Sequence, residues 1–233
     1  MAFITCKNAS FAYDGKTVVD GLDFEVNKGD YLCIVGENGS GKTTLMKGLL
    51  GLNQPKSGSI TTGDGLKPTA IGYLPQQNPI QKDFPASVFE IVLSGRLNSR
   101  GIIPFYSKLD RRTAYDNIEK LGISSIAQKS FRELSGGQQQ RVLLCRALCA
   151  TKDVLLMDEP VAGLDPLVTS ELYSTIQSLS KEGITIIMIS HDIRAAVEYA
   201  SHVLHLQNRQ IFFGSVEDYK QTEAGRQFLK GGA

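Results

Sequence analysis

Two arrangements of apolar residues alternate along this chain. One is the short unbroken run: YLCIV at 31–35, AIGYL at 70–74, DVLLMD at 153–158 and ITIIMIS at 184–190. Runs of that length suit strands buried on both faces. The other is the longer stretch with apolar residues at helical spacing, such as TTLMKGLLGL at 43–52 and PLVTSELYSTIQSLSKEG at 166–183. Strands that alternate with helices predict a mostly parallel sheet covered by helices. The first thirty residues behave differently. FITCKNASFAY, TVVDG and LDFEV are short β-prone runs parted by DGK and NKGD, which predicts a small antiparallel sheet. VLHLQNRQIFFGS at 203–215 reads as a hairpin, followed by a short helical tail.

The character changes between Gln76 and Leu134, where continuous strand patterns stop. SVFEIVLSGR and RRTAYDNIEKLG are helical in spacing, and Ser87 with Glu90 forms an S-x-x-E capping box that starts a helix just after FPA. Residues 77–134 are therefore expected to be a helical insert. The remaining 1–76 and 135–233 form the α/β part of a single domain, and no repeat, low-complexity tract or added regulatory domain is evident.

Composition narrows the function. The 233 residues are 42% hydrophobic and 21% charged, as in ordinary globular proteins. A net charge of +1 and a pI near 7.6 give no field for nucleic acid or an anionic membrane, so no nucleic-acid partner is expected. No run approaches the roughly 18–20 apolar residues of a membrane span, and MAFITCKNAS lacks signal-peptide design. The chain is expected to stay in the cytosol and to reach any membrane through a partner. Cys145 and Cys149 lie one helical turn apart and read as small buried hydrophobes rather than a metal pair. His202 and His205 have odd spacing in a strand and should face opposite sides, which argues against a shared metal.

GENGSGKT fits G-x-x-x-x-G-K-[ST], with a strand before it and a helix after it. Gly36, Gly39 and Gly41 let the backbone turn so that N–H groups converge on phosphate oxygens, and the helix presents its positive end to the same anion. Lys42 supplies a point charge for the β- and γ-phosphates, and the Thr43 hydroxyl is suited to Mg²⁺. DVLLMDEP ends a buried strand in two carboxylates, where ligands of open α/β sheets gather. Asp158 suits Mg²⁺, and Glu159 suits polarising an attacking water. Gln76 offers an amide to metal or water from the same edge. His191, just past another buried strand, is placed to sense a γ-phosphate. Tyr13 could stack on a base.

RELSGGQQQR, at 132–141, is a second anion element. Ser135 and Gln138 form another capping box, so SGG marks a helix N-terminus whose amides and dipole suit an anion. One phosphate chain already has a cradle. The second element can serve the opposite face of a γ-phosphate if another copy of the protein supplies it.

LSGGQQQR, with the motifs around it, strongly resembles the ATP-binding cassette (ABC) ATPases, over nearly the whole chain. Tyr13 matches the adenine-stacking loop, and Gly36, Glu37, Asn38, Gly39, Ser40, Gly41, Lys42, Thr43 and Thr44 match Walker A. Gln76 matches the Q-loop, and residues 134–138, with Ser135, Gly136, Gly137 and Gln138, match the signature. Val154–Asp158 matches Walker B, Glu159 the catalytic glutamate, residues 163–165 the D-loop, and His191 the switch histidine. The resemblance implies a P-loop NTPase core with an N-terminal antiparallel β subdomain and an α-helical insert. It also implies MgATP as the ligand and a head-to-tail dimer with a second copy, in which each signature completes its neighbour's site. The insert would dock on integral membrane permease subunits at the cytoplasmic face. QKDFPASVFEIVLSGR resembles the zinc and manganese uptake subfamily, in which a separate solute-binding protein handles the metal. Siderophore and cobalamin importers have related cassettes. Soluble ABC ATPases of DNA repair or translation generally carry long coiled-coil insertions, zinc-binding inserts or two fused cassettes, unlike this chain.

Overall fold

The computed structural model describes residues 2–13, 16–63, 65–76, 85–100, 105–191 and 197–231. In place of several short strands at the start, it forms two long ones, β1 (Ala2–Tyr13) and β2 (Lys16–Asn27), paired antiparallel. The pairing register slips between Cys6 and Ala9, where Asn8 takes a left-handed φ of 43°. A second slip, between Ala9 and Phe11, faces Gly21 of β2 at a left-handed φ of 59°; such a bulge absorbs a residue without ending the strand, so TVVDG and LDFEV run on as one element. Along β2, Leu22, Phe24 and Val26 are buried while Asp23, Glu25 and Asn27 are exposed, the period-two pattern of a sheet with one dry face. A third strand, β4 (Ser57–Thr62), adds to the other edge of β1. Apart from half-buried Ile60 its residues are small or polar and exposed, so hydrophobic patterning carries almost no sign of it.

Two compact units follow from the contacts, Met1–Pro68 with Ser180–Ala233, and Thr69–Leu179. In the first, β3 (Tyr31–Val35) lies parallel between β7 (Thr185–Ile189) and β8 (His202–Leu206), and β8 pairs antiparallel with β9 (Gln210–Ser215). Every residue of β3 and β7 is buried, as their unbroken apolar runs require. Helix α1 (Lys42–Leu49) follows β3, and α6 (Val216–Gln221) and α7 (Glu223–Gly231) form the helical tail. The two strand histidines separate as their spacing requires. His205 is buried with its Nδ1 3.0 Å from the Tyr219 hydroxyl, while half-exposed His202 stacks with Phe213.

The second unit pairs β5 (Ile71–Leu74) parallel with β6 (Val154–Asp158) and contains α2 (Val88–Ser94), α3 (Lys108–Lys120), α4 (Gly136–Ala150) and α5 (Pro166–Lys181). Residues 77–84, where the QKDF segment lies, fall outside the described residues. The capping box at Ser87 and Glu90 is present and starts α2. Cys145 and Cys149 are buried on α4, and the Cys149 sulfur accepts from Asn117 at 3.4 Å.

One polar cluster ties this helical region together. Ser107 caps α3 by accepting from the Asp110 amide at 3.1 Å, and the Asp110 carboxylate accepts from the Ser107 amide at 2.8 Å. Arg96 donates to the same carboxylate at 3.1 Å and to the Cys149 carbonyl, at the end of α4, at 2.7 Å. Arg100 pairs with it as well. The Ser107 hydroxyl first, with the two guanidinium groups, holds the Asp110 carboxyl down at about 2. The unfolded group titrates near 3.8, so this stabilisation is fully present above that pH and is lost as pH falls from 3.8 towards 2. Asp110→Ala, which strands two guanidinium groups, is expected to cost about 3 kcal/mol in urea unfolding at pH 7. In the variant, the loss of stability between pH 4 and pH 2 should shrink relative to the parent; an unchanged acid profile would remove Asp110 from this role.

Candidate active site

Strand β3 runs buried to Val35, and the chain then turns through 36–41 into α1. Gly41, the N-cap, has φ of 99°, and a Cβ there would lie 2.0 Å from Cγ2 of Val19 on β2. Both the backbone angle and the close approach require glycine. Gly36 and Ser40 are buried, whereas Glu37, Asn38, Gly39 and Thr43 are exposed and Thr44 is half-buried. Lys42 is only 6% exposed. Its ammonium donates to the Gly36 carbonyl at 2.8 Å and the Glu37 carbonyl at 2.9 Å, so the charge is folded over the loop. No side chain caps α1, and its first turn contains no acid. Its N-terminal amides and dipole are therefore left to an anion. Exposed His191 follows β7, beyond Ser190, whose amide bonds to the Ile34 carbonyl at 3.2 Å. Tyr13 closes β1 opposite Lys16, and its side chain lies outside the described residues.

In the second unit, β6 delivers Asp158, 8% exposed, and Glu159 follows with a left-handed φ of 48°. A non-glycine residue in that region is strained by about 1–3 kcal/mol, and such strain clusters at functional sites. Gln76, two residues beyond β5, donates its amide to Glu159 Oε2 at 2.9 Å. The sequence places these two residues eighty-three positions apart; parallel pairing of β5 with β6 joins them. Asp158 also acts on its neighbour Tyr73, whose phenol is raised by burial first and then by that carboxylate.

The capping box at Ser135 and Gln138 is present and starts α4. Ser135 Oγ accepts from the Gln138 amide at 3.3 Å, and Gln138 Oε1 accepts from the Ser135 amide at 3.1 Å. Acidic residues occupy the first turns of α2 and α3, but α4 has none, so its positive end is not neutralised from within. Ser135, Gly136 and Gln138 are exposed and Gly137 is half-buried. The amides of the two glycines remain as the orphan donors of the helix start. A Cβ on Gly137 would lie 2.5 Å from Cγ1 of Val168 in the first turn of α5. That turn is itself capped by Asp165, which accepts from the Val168 amide at 3.0 Å. The glycine pair thus also lets α4 sit against the start of α5, a constraint that motif reading does not contain.

Thr43 in the first unit, and Gln76 and Asp158 in the second, each carry an oxygen of the hard kind that Mg²⁺ accepts. Sequence reading missed Val19 and Asn208, which both touch the 36–41 loop. The contact from Asn208 to Gly39 spans 169 residues, so no local pattern reveals it.

Comparison with known proteins gives the family and the fold. The ABC transporter family model matches residues 19–162. The manganese transport system ATP-binding protein MntB of Bacillus subtilis is 37% identical, over 96% of this chain and 93% of its own length. The zinc uptake system ATP-binding protein ZurA of Listeria innocua is 32% identical, over 96% of this chain and 90% of its own. Among solved structures, the ADP conformation of MJ1267, an ATP-binding cassette of an ABC transporter, superposes with a TM-score of 0.83 at 25% identity and covers 99% of both chains. No helix among the described residues is long and apolar enough to cross a membrane. With a phosphate loop, a strand-end acid pair and a serine-capped helix that opens on two glycines, this chain belongs to the ABC transporter family as its nucleotide-binding ATPase.

Proposed function

We propose that two copies of this chain bind MgATP between them and power uptake of a divalent metal, zinc or manganese, through membrane permease subunits. The relatives support the metal: manganese and zinc transport ATP-binding proteins match over 96% of the chain. The transport reading is carried by one groove. A cavity of about 370 Å³ in the second unit is lined by Pro75, Ala86, Ile91, Phe131, Leu143 and Arg146. Its apolar wall and charged rim suit an amphipathic permease helix. Pro75 precedes Gln76, whose amide grips Glu159, so an occupant of the groove neighbours the group that holds the catalytic carboxylate.

ATP lies with its phosphates on residues 36–44 of one copy, with the adenine against Tyr13. Phosphate oxygens replace the carbonyls of Gly36 and Glu37 as partners of Lys42. Ser135, Gly136, Gly137 and Gln138 of the second copy close on the γ-phosphate with the amides of the α4 start. Glu159, held in one orientation by Gln76, takes a proton as water attacks phosphorus, and the bond to the ADP oxygen breaks. His191 contacts the γ-phosphate and reports its loss. Thr43, Gln76 and Asp158 are the residues that would hold Mg²⁺, which would supply positive charge to the phosphates when bound.

Glu159→Gln is expected to keep MgATP affinity while slowing steady-state hydrolysis by about a hundredfold or more, and dimer should accumulate in size-exclusion chromatography with ATP. Rapid turnover would displace Glu159 from this role. Ser135→Arg should leave MgATP affinity of the separate copy within about threefold yet reduce hydrolysis by about a hundredfold, the scale of a lost transition-state donor. Loss of binding to the separate copy would instead place Ser135 in its own nucleotide site. Cells lacking the chain should lose uptake of radioactive zinc or manganese and recover it with the parent but not with Glu159→Gln. Unchanged metal uptake, with loss of siderophore or cobalamin uptake, would move the chain to that branch.

A further inference from the structure

We propose that Asn208 is a positioning residue of the phosphate loop, acting from the far end of the chain through the backbone of Gly39 and Ser40. The inference rests on the reading of 36–44 as the phosphate cradle.

Asn208 occupies the turn between β8 and β9 with φ of 57°, a left-handed conformation that asparagine and glycine tolerate best. Four hydrogen bonds leave it. Its backbone amide donates to the Ser40 carbonyl at 3.1 Å, and its backbone carbonyl accepts from the Asp20 amide at 2.9 Å. Its side-chain nitrogen donates to the Gly39 carbonyl at 3.2 Å and the Val18 carbonyl at 3.0 Å. An amide nitrogen has two hydrogens, and each has an acceptor here. The reverse amide orientation would set Oδ1 against two carbonyl oxygens, so the acceptors themselves fix which end is nitrogen.

The geometry acts on the cradle directly. In a trans peptide the carbonyl of one residue and the N–H of the next lie on opposite sides of one rigid plane. Drawing the Gly39 and Ser40 carbonyls towards Asn208 therefore sets the tilt of the two planes that carry the amides of Ser40 and Gly41. Both planes belong to the proposed phosphate cradle: the Ser40 amide is held within it by the Glu37 carbonyl at 3.2 Å, and the Gly41 amide is the donor that Asn208 aims. The backing is close: a Cβ on Gly36 would lie 2.3 Å from the carbonyl oxygen of Leu206, two residues before Asn208. The Val18 bond ties the same amide to β2, which also abuts Gly41 through Val19. One side chain thus clips the β2 edge, the β8–β9 turn and the phosphate loop into a fixed relation before any nucleotide arrives. Preorganised donors bind more tightly because their ordering precedes binding.

Asn208→Gly keeps the left-handed backbone and its two backbone bonds but removes both side-chain donors. Measured on the full chain by calorimetric titration, the Kd for MgATP should rise about three- to tenfold, the range one or two net hydrogen bonds supply. The kcat at saturating ATP should stay within about twofold, and the nucleotide-free Tm should stay near the parent value. Asn208→Asp, which keeps the backbone preference but opposes carboxylate to two carbonyls, should raise Kd more than Asn208→Gly does. Asn8→Gly makes the same exchange at another left-handed asparagine, with φ of 43°, in β1, and should leave Kd unchanged. Kd values within twofold of the parent for both Asn208 variants would overturn the proposal, as would an equal rise for Asn8→Gly. If Lys42→Ala abolishes binding while the Asn208 variants bind normally, the cradle reading survives and this proposal alone fails. Failure of the unaltered chain to bind MgATP would overturn both.

Discussion

Every α-helix begins with amide groups that the helix itself cannot satisfy, and this protein's chemistry depends on which helix starts are closed and which are left open. Helices α2 and α3 are closed by serine caps with an acid in the first turn, Glu90 and Asp110. Helix α1 has neither a side-chain cap nor an acid, and α4 has a capping box built with neutral Gln138. Exposed positive helix ends cost stability unless an anion meets them. The two starts without a carboxylate, α1 and α4, are those proposed to meet opposite sides of one γ-phosphate, so nucleotide supplies the negative charge their own first turns lack.

That arrangement needs backbone brought closer than side chains allow. Gly41 against Val19 and Gly137 against Val168 are two of the places where an added methyl group would collide. In each, the glycine lets a strand or a helix start press on the element that presents the anion site. Rigidity of the donors follows from packing and does not depend on the ligand.

Two features meet at Gln76. Its amide holds a strained Glu159, and its neighbour Pro75 lines an apolar groove of the same unit. An occupant of that groove would lie beside the residue that holds this carboxylate. Elsewhere in the same unit the Asp110 cluster joins helices, since Arg96 bridges α3 to the end of α4, the helix that starts at the signature serine.

Much of this was legible in the residues. Unbroken apolar runs specify strands buried on both faces, and Ser–x–x–Gln or Ser–x–x–Glu spacing specifies helix starts, because both signals are satisfied within a few residues of where they occur. The α/β fold, the phosphate loop, both capping boxes and the separation of His202 from His205 were determined that way. Strand β4 was not, since its small and polar residues bury almost nothing and it owes its place to the open edge of β1. Nor were the grip of Gln76 on Glu159, the seat of Gly137 on α5, or the reach of Asn208 to Gly39. Each joins residues far apart in the chain through a single hydrogen bond or contact. Local chemistry names the parts; only the tertiary fold, by pairing strands and closing long loops, decides which parts touch.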